Sequence, residues 1–76
     1  MGNAVPHKIY WAGELPPKDN FGDTYASIMI DGRTMSGPWA NMTEKSWRRY
    51  GCGKLGTGYG QKYEKQKDGR WMKIEG

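Results

Sequence analysis

The chain has 76 residues, of which 36% are hydrophobic and 26% charged, and its formal net charge is +4 at pH 7. This length accommodates one small domain, since single domains typically begin at about 50 residues, and it excludes a two-domain enzyme. We therefore expect residues 1–76 to form a single domain, whose core depends on four Trp, five Tyr and one Phe.

The N-terminal part of the chain predicts one strand and one connector. Residues 8–12 are rich in aromatic and apolar side chains and lie between Pro6 and Gly13, which is typical of a short strand. Residues 1–7 are expected to be flexible. Residues 15–20 include two prolines, which donate no backbone hydrogen bond, so this stretch is predicted to be a Pro-rich connector.

The segment 25–36 predicts a β-hairpin. Asp31-Gly32 stands between two runs of strand-forming residues, and this pattern is the strongest short-range signal for a hairpin. A two-residue turn at this point would place Ile28 opposite Met35. In that register one face of the hairpin carries the expected core residues, Ala26, Ile28, Ile30 and Met35.

The next predicted element is a helix over residues 42–50, about two and a half turns long. Asn41 is a suitable N-cap, and Glu44, three residues later, completes a capping box. Gly51 is expected to end the helix. A helix this short is not stable alone in water, so we expect it to pack on the sheet.

The C-terminal part predicts a loop and a second hairpin. Residues 51–60 contain five glycines, a composition that predicts a loop with several positive-φ positions. Asp68-Gly69 then predicts a hairpin in which Tyr63 faces Ile74. Together the elements predict an α+β fold, a small antiparallel sheet made of two Asp-Gly hairpins plus an N-terminal strand, with one short helix.

Compartment and cofactor use follow from simple absences in the sequence. Cys52 is the only cysteine, which excludes an internal disulfide and a cysteine cluster for zinc or iron, and a lone thiol fits a reducing cytoplasm. No apolar stretch reaches the roughly 18 residues that a membrane span needs, and the first residues lack the pattern of a signal peptide. We therefore expect a cytoplasmic protein with no membrane partner, no metal and no cofactor.

Positive charge is concentrated in the C-terminal half. Residues 1–42 carry three basic and four acidic side chains, whereas residues 43–76 carry nine basic and four acidic ones. This asymmetry indicates an anionic partner, either nucleic acid or an acidic protein surface. Cations interleaved with aromatic rings are typical of surfaces that pair with phosphates and stack on bases. The predicted binding residues are Arg48, Arg49, Lys54, Tyr59, Lys62 and Lys65.

Two interpretations of the glycine-rich loop stay open. Its glycine spacing matches a dinucleotide-binding fingerprint, but a helix precedes the loop and a hairpin follows it, whereas that fingerprint needs a strand before it and a helix after it. The loop either holds an anion through its backbone N–H groups and Lys54, or it only connects two elements. Likewise, Tyr59 and Tyr63 either stack on a ligand or, together with Trp71, form the core of the sheet.

No arrangement of residues in the sequence predicts catalysis. His7 and Cys52 would form a catalytic pair only if the fold brought them together with a third orienting group. No pair of carboxylates stands at helical spacing for acid–base chemistry. The sequence therefore predicts a protein that is not an enzyme.

Three segments carry a resemblance that covers roughly residues 30–76. Gly-Pro-Trp-Ala at 37–40, Gly-Thr-Gly-Tyr-Gly-Gln at 56–61 and Asp-Gly-Arg-Trp at 68–71 resemble segments of short proteins encoded by bacteriophages and prophages. Some of those proteins carry extra Cys or His near the helix, where this chain has Thr43 and Trp47, so no metal site is implied. The resemblance brings no established activity, but it implies a small phage accessory protein in the host cytoplasm.

Two functions therefore remain as hypotheses. The first is a non-enzymatic module that binds nucleic acid through its cationic C-terminal half. The second is an inhibitor that docks on a host protein or a nucleic-acid-handling complex. Its expected anchors are of the types that dominate interface hot spots, namely Trp39, Trp47 or Trp71 together with Arg48.

Overall fold

The computed structural model describes residues 8–76, which form a four-stranded antiparallel sheet and one short helix. The predicted flexibility of residues 1–7 concerns a segment outside the described residues. The strands lie in the order β2-β1-β3-β4 across the sheet, and the α+β class predicted from the sequence is confirmed. The elements in chain order are β1 (Ile28–Arg33), β2 (Trp39–Met42), helix α1 (Glu44–Tyr50), β3 (Gly60–Lys65) and β4 (Trp71–Glu75).

The first predicted hairpin turn is wrong. Asp31-Gly32 lies inside β1, and the chain reverses instead over residues 34–38 before β2 begins. The predicted pairing of Ile28 with Met35 is therefore wrong as well, because Ile28 pairs with Glu64 of β3. Met35, predicted to be in the core, lies in the turn and is 71% exposed.

Gly32 is a glycine because a tryptophan packs on it, and the backbone does not turn there. The φ angle of Gly32 is not positive, so the backbone there does not need glycine. A Cβ at Gly32 would lie 2.8 Å from Cζ3 of Trp47, and a Cβ at Gly60 on the neighbouring strand would lie 3.0 Å from the Cα of Gly32. The Trp47 indole also covers Gly51. These glycines leave the space in which α1 sits on the sheet.

The sheet buries apolar side chains on both faces. Ile30 pairs with Met42 on the face that carries α1, while Met29 pairs with Tyr63 on the opposite face. These four are the buried hydrophobic residues of the described chain. Of the predicted core residues, only Ile30 is fully buried, since Ile28 is half-buried and Ala26 is exposed.

On the face opposite α1, aromatic rings pack edge to face. The rings of Trp11 and Tyr63 lie 5.7 Å apart at 81°, and those of Tyr25 and Trp71 lie 5.9 Å apart at 62°. Tyr63 is 7% exposed and belongs to the core, as one of the two sequence interpretations held. Trp71 is half-buried.

Helix α1 starts two residues later than predicted. Asn41 lies in β2, where it pairs with Asp31, so it is not available as the N-cap. Thr43 takes that role, and its Oγ1 accepts a hydrogen bond from the Ser46 N–H at 3.1 Å. The predicted end is confirmed, because Gly51 is the C-cap.

The predicted connector contains the buried group that fixes the start of the helix. One carboxylate oxygen of Asp19 accepts from the Phe21 and Asp23 N–H groups at 2.9 and 2.8 Å, and the other accepts from the Thr43 N–H at 2.9 Å. Burial alone would raise the pKa of Asp19, but hydrogen bonds from Ser46 and these three amides outweigh it, so the pKa lies below its ordinary value. The carboxylate therefore ties residues 19–23 to α1.

The second hairpin forms where predicted, but with a longer loop. Gln66 N–H donates to the Arg70 carbonyl at 2.7 Å, and Gly69, at φ +88°, donates to the Gln66 carbonyl at 2.9 Å. This geometry is a type I turn followed by a left-handed glycine, so the loop has three residues instead of two. The register consequently shifts by one, and Tyr63 pairs with Lys73, which makes the predicted pairing with Ile74 wrong.

The predicted N-terminal strand is reduced to a short pairing along the outer edge of β4. Tyr10 forms an isolated antiparallel bridge with Met72, and Trp11 N–H donates to the Trp71 carbonyl at 2.9 Å. The Ile9 carbonyl accepts from Lys73 N–H at 2.7 Å. Residues 9–11 therefore cover part of this edge without adding a full strand.

Candidate nucleic-acid interface

The net positive charge of the chain is concentrated in one central stretch. Residues 32–63 contain a single acidic residue, Glu44, and carry a net charge of +5, more than the +4 of the whole chain. The hairpin beyond them is nearly neutral, since its lysines and Arg70 alternate with Glu64, Asp68 and Glu75. The basic residues of the central stretch are Arg33, Lys45, Arg48, Arg49, Lys54 and Lys62.

The fold brings several of these residues to one end of the sheet, where β1, the last turn of α1 and the glycine-rich loop meet. The Arg33 N–H donates to the Tyr59 carbonyl at 2.8 Å, and the Arg33 carbonyl accepts from the Cys52 N–H at 2.8 Å. Thr34 forms an antiparallel bridge with Gly51 at the end of the helix. We call the exposed side chains around this junction the sheet-end surface. Arg48 of the helix and Lys54 and Tyr59 of the loop belong to it. Arg33 and Trp39 belong to it as well, and they project at the same end from the face of the sheet opposite α1.

Within the glycine-rich loop, a lysine and a tyrosine lie together at the surface. The Lys54 ammonium lies 5.2 Å from the centroid of the Tyr59 ring, which is a cation–π distance, and Tyr59 is 39% exposed. Gly53, Gly56 and Gly58 have positive φ, as predicted. The loop therefore presents one cation and one aromatic face at a fixed position.

Some of the loop's backbone amides are already used within the fold. The Gly56 N–H donates to the Gly60 carbonyl at 2.7 Å, while the Tyr59 and Gly60 N–H groups both donate to the Gly56 carbonyl, at 2.9 and 3.0 Å. These amides are not free to hold an anion. The N–H groups of Gly53, Lys54, Thr57 and Gly58 have no hydrogen-bond acceptor within residues 8–76, so both sequence interpretations of the loop stay open.

Arg48 of α1 and Lys62 of β3 lie where the helix faces that strand. The Lys62 ammonium is 3.5 Å from the Glu44 carboxylate in the first turn of the helix. Arg48 follows Glu44 by four residues, so it occupies the same side one turn later, and it is exposed. Because Lys62 is paired and its side chain is only 25% exposed, Arg48 is the more available cation.

Two of the predicted residues lie elsewhere. Arg49 lines a cleft on the other side of α1, together with Phe21 and Lys45. Lys65 lies at the end of β3 away from the glycine-rich loop, and its ammonium lies 6.0 Å from the Trp71 ring. The six predicted residues therefore do not form one surface.

Arg33 was missing from the predicted residues, and Trp39 was predicted only as an anchor for a protein partner. They form a cross-strand pair between β1 and β2, and Trp39 is 46% exposed. Both lie in the half of the sequence with net negative charge. Only the long-range pairing of β1 with β3 and with residues 51–52 brings Arg33 next to the glycine-rich loop, and no local sequence signal encodes that pairing.

The remaining candidate groups are the potential metal ligands, Cys52 and His7. Within residues 8–76, no three His, Cys, Asp or Glu side chains are close enough to share a metal ion. Cys52 is half-buried and its thiol contacts the Lys54 carbonyl at 3.6 Å. His7 lies outside the described residues, so its predicted lack of a catalytic partner stays a prediction.

Residues 8–76 contain no helix with the length and apolarity required to cross a bilayer.

Comparison of the chain with protein-family models, with curated proteins and with solved structures found no match.

Proposed function

We propose that this protein is a non-enzymatic nucleic-acid-binding protein and that the sheet-end surface is its binding surface. The observation that carries the proposal is the charge of residues 32–63, where the single acidic side chain is paired with Lys62 at the far end of the helix. Cations that are not paired with carboxylates attract the phosphates of nucleic acid, and their binding releases the counterions that surround those phosphates. The resemblance to phage accessory proteins agrees with such a role and with the host cytoplasm as its place.

The surface offers both kinds of contact that nucleic acid requires. Arg33, Arg48 and Lys54 are exposed, and within residues 8–76 no carboxylate lies within 4.0 Å of them. Trp39 and Tyr59 are partly exposed rings on which a base can stack. Phosphate contacts supply most of the affinity, whereas the rings add contacts that do not depend on sequence.

The test is a salt titration of binding to a fluorescently labelled single-stranded oligonucleotide, measured by anisotropy. Three phosphate contacts predict a slope of log K against log salt of about −2 for a single strand. The variant Lys54→Ala should weaken binding and make the slope less negative by about 0.7. Lys67→Ala in the β3–β4 loop is the matched control and should change neither quantity. Absence of salt-dependent binding to any DNA or RNA would contradict the proposal.

A second function, docking on an acidic surface of a host protein, is supported by one observation. Trp39 is 46% exposed beside Arg33, and Trp and Arg are residue types that dominate interface hot spots. Trp47 is not an available anchor, because its ring packs over Gly32 and Gly51. A pull-down from bacterial lysate after nuclease treatment separates the two functions. A protein partner that is retained after the treatment and lost with Trp39→Ala would favour docking.

A further inference from the structure

A second surface feature lies beside α1, on the side away from β3. Phe21 and Tyr50 stack in parallel, with ring centroids 4.1 Å apart and an angle of 11° between the rings. They border an open cleft of about 210 Å³, which Lys45 and Arg49 of the helix also line. Phe21 is 42% exposed while Tyr50 is half-buried, so Phe21 is the outer ring of the stack.

We propose that this cleft binds an unpaired nucleobase, which stacks on the outer face of Phe21, so that the protein prefers single-stranded over duplex nucleic acid. This inference rests on the proposed function, because it specifies the form of nucleic acid and adds a contact outside the sheet-end surface. Phe21 is 42% exposed although it stacks on Tyr50, and a parallel pair of rings can be extended by one more planar ring. Stacking of this kind accepts any base, because every base has a π-face.

The ring is held by the backbone around it. The Phe21 N–H donates to the Asp19 carboxylate at 2.9 Å, and the Gly22 N–H donates to the Asp19 carbonyl at 3.0 Å. The same carboxylate accepts from the Thr43 N–H, so the loop that carries Phe21 is fastened to the start of α1. A fixed ring loses little conformational freedom on binding, which favours affinity.

The charge around the cleft suits the phosphates that accompany a base. Lys45 and Arg49 are four residues apart on α1, both are exposed, and within the described chain neither lies within 4.0 Å of a carboxylate. The Asp23 carboxylate also lines the cleft, where it accepts a hydrogen bond from the Thr43 hydroxyl at 2.5 Å. This carboxylate and the buried Asp19 carboxylate both accept hydrogen bonds from the protein, whereas the two cations are exposed, so the cations are the charges that a strand at the surface meets.

Only a single strand can use the cleft in this way. Bases of a duplex are paired and stacked inside the helix, so their faces are not available to Phe21, whereas unpaired bases can turn outward. Arg49 is adjacent in sequence to Arg48 of the sheet-end surface. A strand that crosses α1 can therefore contact both sites.

The experiment compares three ligands of equal length, namely a single strand, the corresponding duplex and a single strand with abasic sites. Phe21→Ala should weaken binding of the single strand by about 5-fold to 100-fold and leave binding of the duplex and the abasic strand unchanged. Phe21→Trp should bind the single strand at least as tightly as the wild type. Ile74→Ala, at a site of similar exposure on β4, is the matched control and should bind all three ligands normally.

Folding is checked by thermal melting, and Phe21→Leu replaces Phe21→Ala if the latter unfolds, since leucine keeps apolar volume without an aromatic face. Equal affinity of the wild type and the Phe21 variants for the single strand, with salt-dependent binding intact, would overturn the base site and leave the proposed function standing. Failure of the wild type to bind any of the three ligands would overturn the proposed function itself.

Discussion

The packing of Trp47 on Gly32 predicts a specific energetic coupling between these two residues. A methyl group at Gly32 would lie 2.8 Å from Cζ3 of Trp47 and 3.3 Å from Cγ2 of Ile30. Overpacking of this kind typically costs about 1–3 kcal/mol. Because Gly32 does not need positive φ, alanine also gains about 0.4–1 kcal/mol by restricting the unfolded chain. We therefore expect Gly32→Ala to lower the free energy of unfolding by about 1–2 kcal/mol.

The same substitution should cost little when the indole is removed. In a Trp47→Leu background, the methyl group meets no ring, but it still lies 3.3 Å from Ile30 Cγ2 and from the Tyr59 carbonyl oxygen, so Gly32→Ala should be close to neutral. The coupling free energy of the pair is then about 1–2 kcal/mol, within the range measured for residues in contact.

A double-mutant cycle in urea, followed by far-UV circular dichroism, measures this coupling. For a small domain with an m value of about 1 kcal/mol/M, the predicted cost of Gly32→Ala shifts the midpoint by about 1–2 M. An equal cost of Gly32→Ala in both backgrounds would refute the packing explanation. So would a clear stabilisation by Gly32→Ala in the wild-type background.

Three further substitutions test the helix start, the opposite face of the sheet and the glycine-rich loop. Asp19→Ala should destabilise the fold by about 2 kcal/mol or more at pH 7, because it leaves buried N–H groups without an acceptor. Because the pKa of Asp19 is lowered in the fold, its contribution to stability is present above the unfolded pKa of about 3.9 and is lost as the pH falls through the lower folded pKa. The difference in unfolding free energy between wild type and variant should therefore shrink in acid. A difference that does not change with pH would contradict this. Tyr25→Phe should leave stability unchanged or raise it by about 1 kcal/mol, because the buried Tyr25 hydroxyl has no hydrogen-bond partner within residues 8–76, and a loss above about 1 kcal/mol in urea unfolding would show that a partner exists. Gly58→Ala should cost about 1 kcal/mol in thermal melting, because φ is +86° there and no atom lies within 4 Å of the new Cβ, so an unchanged melting temperature would argue against backbone strain.

Local patterns predicted the elements better than they predicted their pairing. The C-cap at Gly51 and the hairpin at Asp68-Gly69 depend on neighbouring residues, and both lie where the sequence placed them. At Asp31-Gly32 the same dipeptide predicted a turn that does not exist. Glycine is required there because Trp47, fifteen residues away, packs against it, and the flanking sequence does not indicate a contact of that kind.

The candidate site shows the same division. Net charge by halves correctly indicated a basic region, but the long-range pairing of the strands decides which cations share a surface. Arg33 joins the sheet-end surface through hydrogen bonds to residues 52 and 59, while Lys65 lies at the other end of the sheet, where it pairs with Trp71. Composition predicted an anionic partner, and topology selected the residues that would meet it.

The central claim is that one end of the sheet binds nucleic acid, and mapping of backbone and tryptophan indole NMR signals during titration with a single-stranded oligonucleotide at low salt tests it most directly. We predict that the signals of Arg33, Arg48, Lys54 and Tyr59 and the indole N–H of Trp39 shift together and return as salt is added. Signals from the β3–β4 loop should not move. Shifts confined to that loop, or a spectrum unchanged by the oligonucleotide, would contradict the claim.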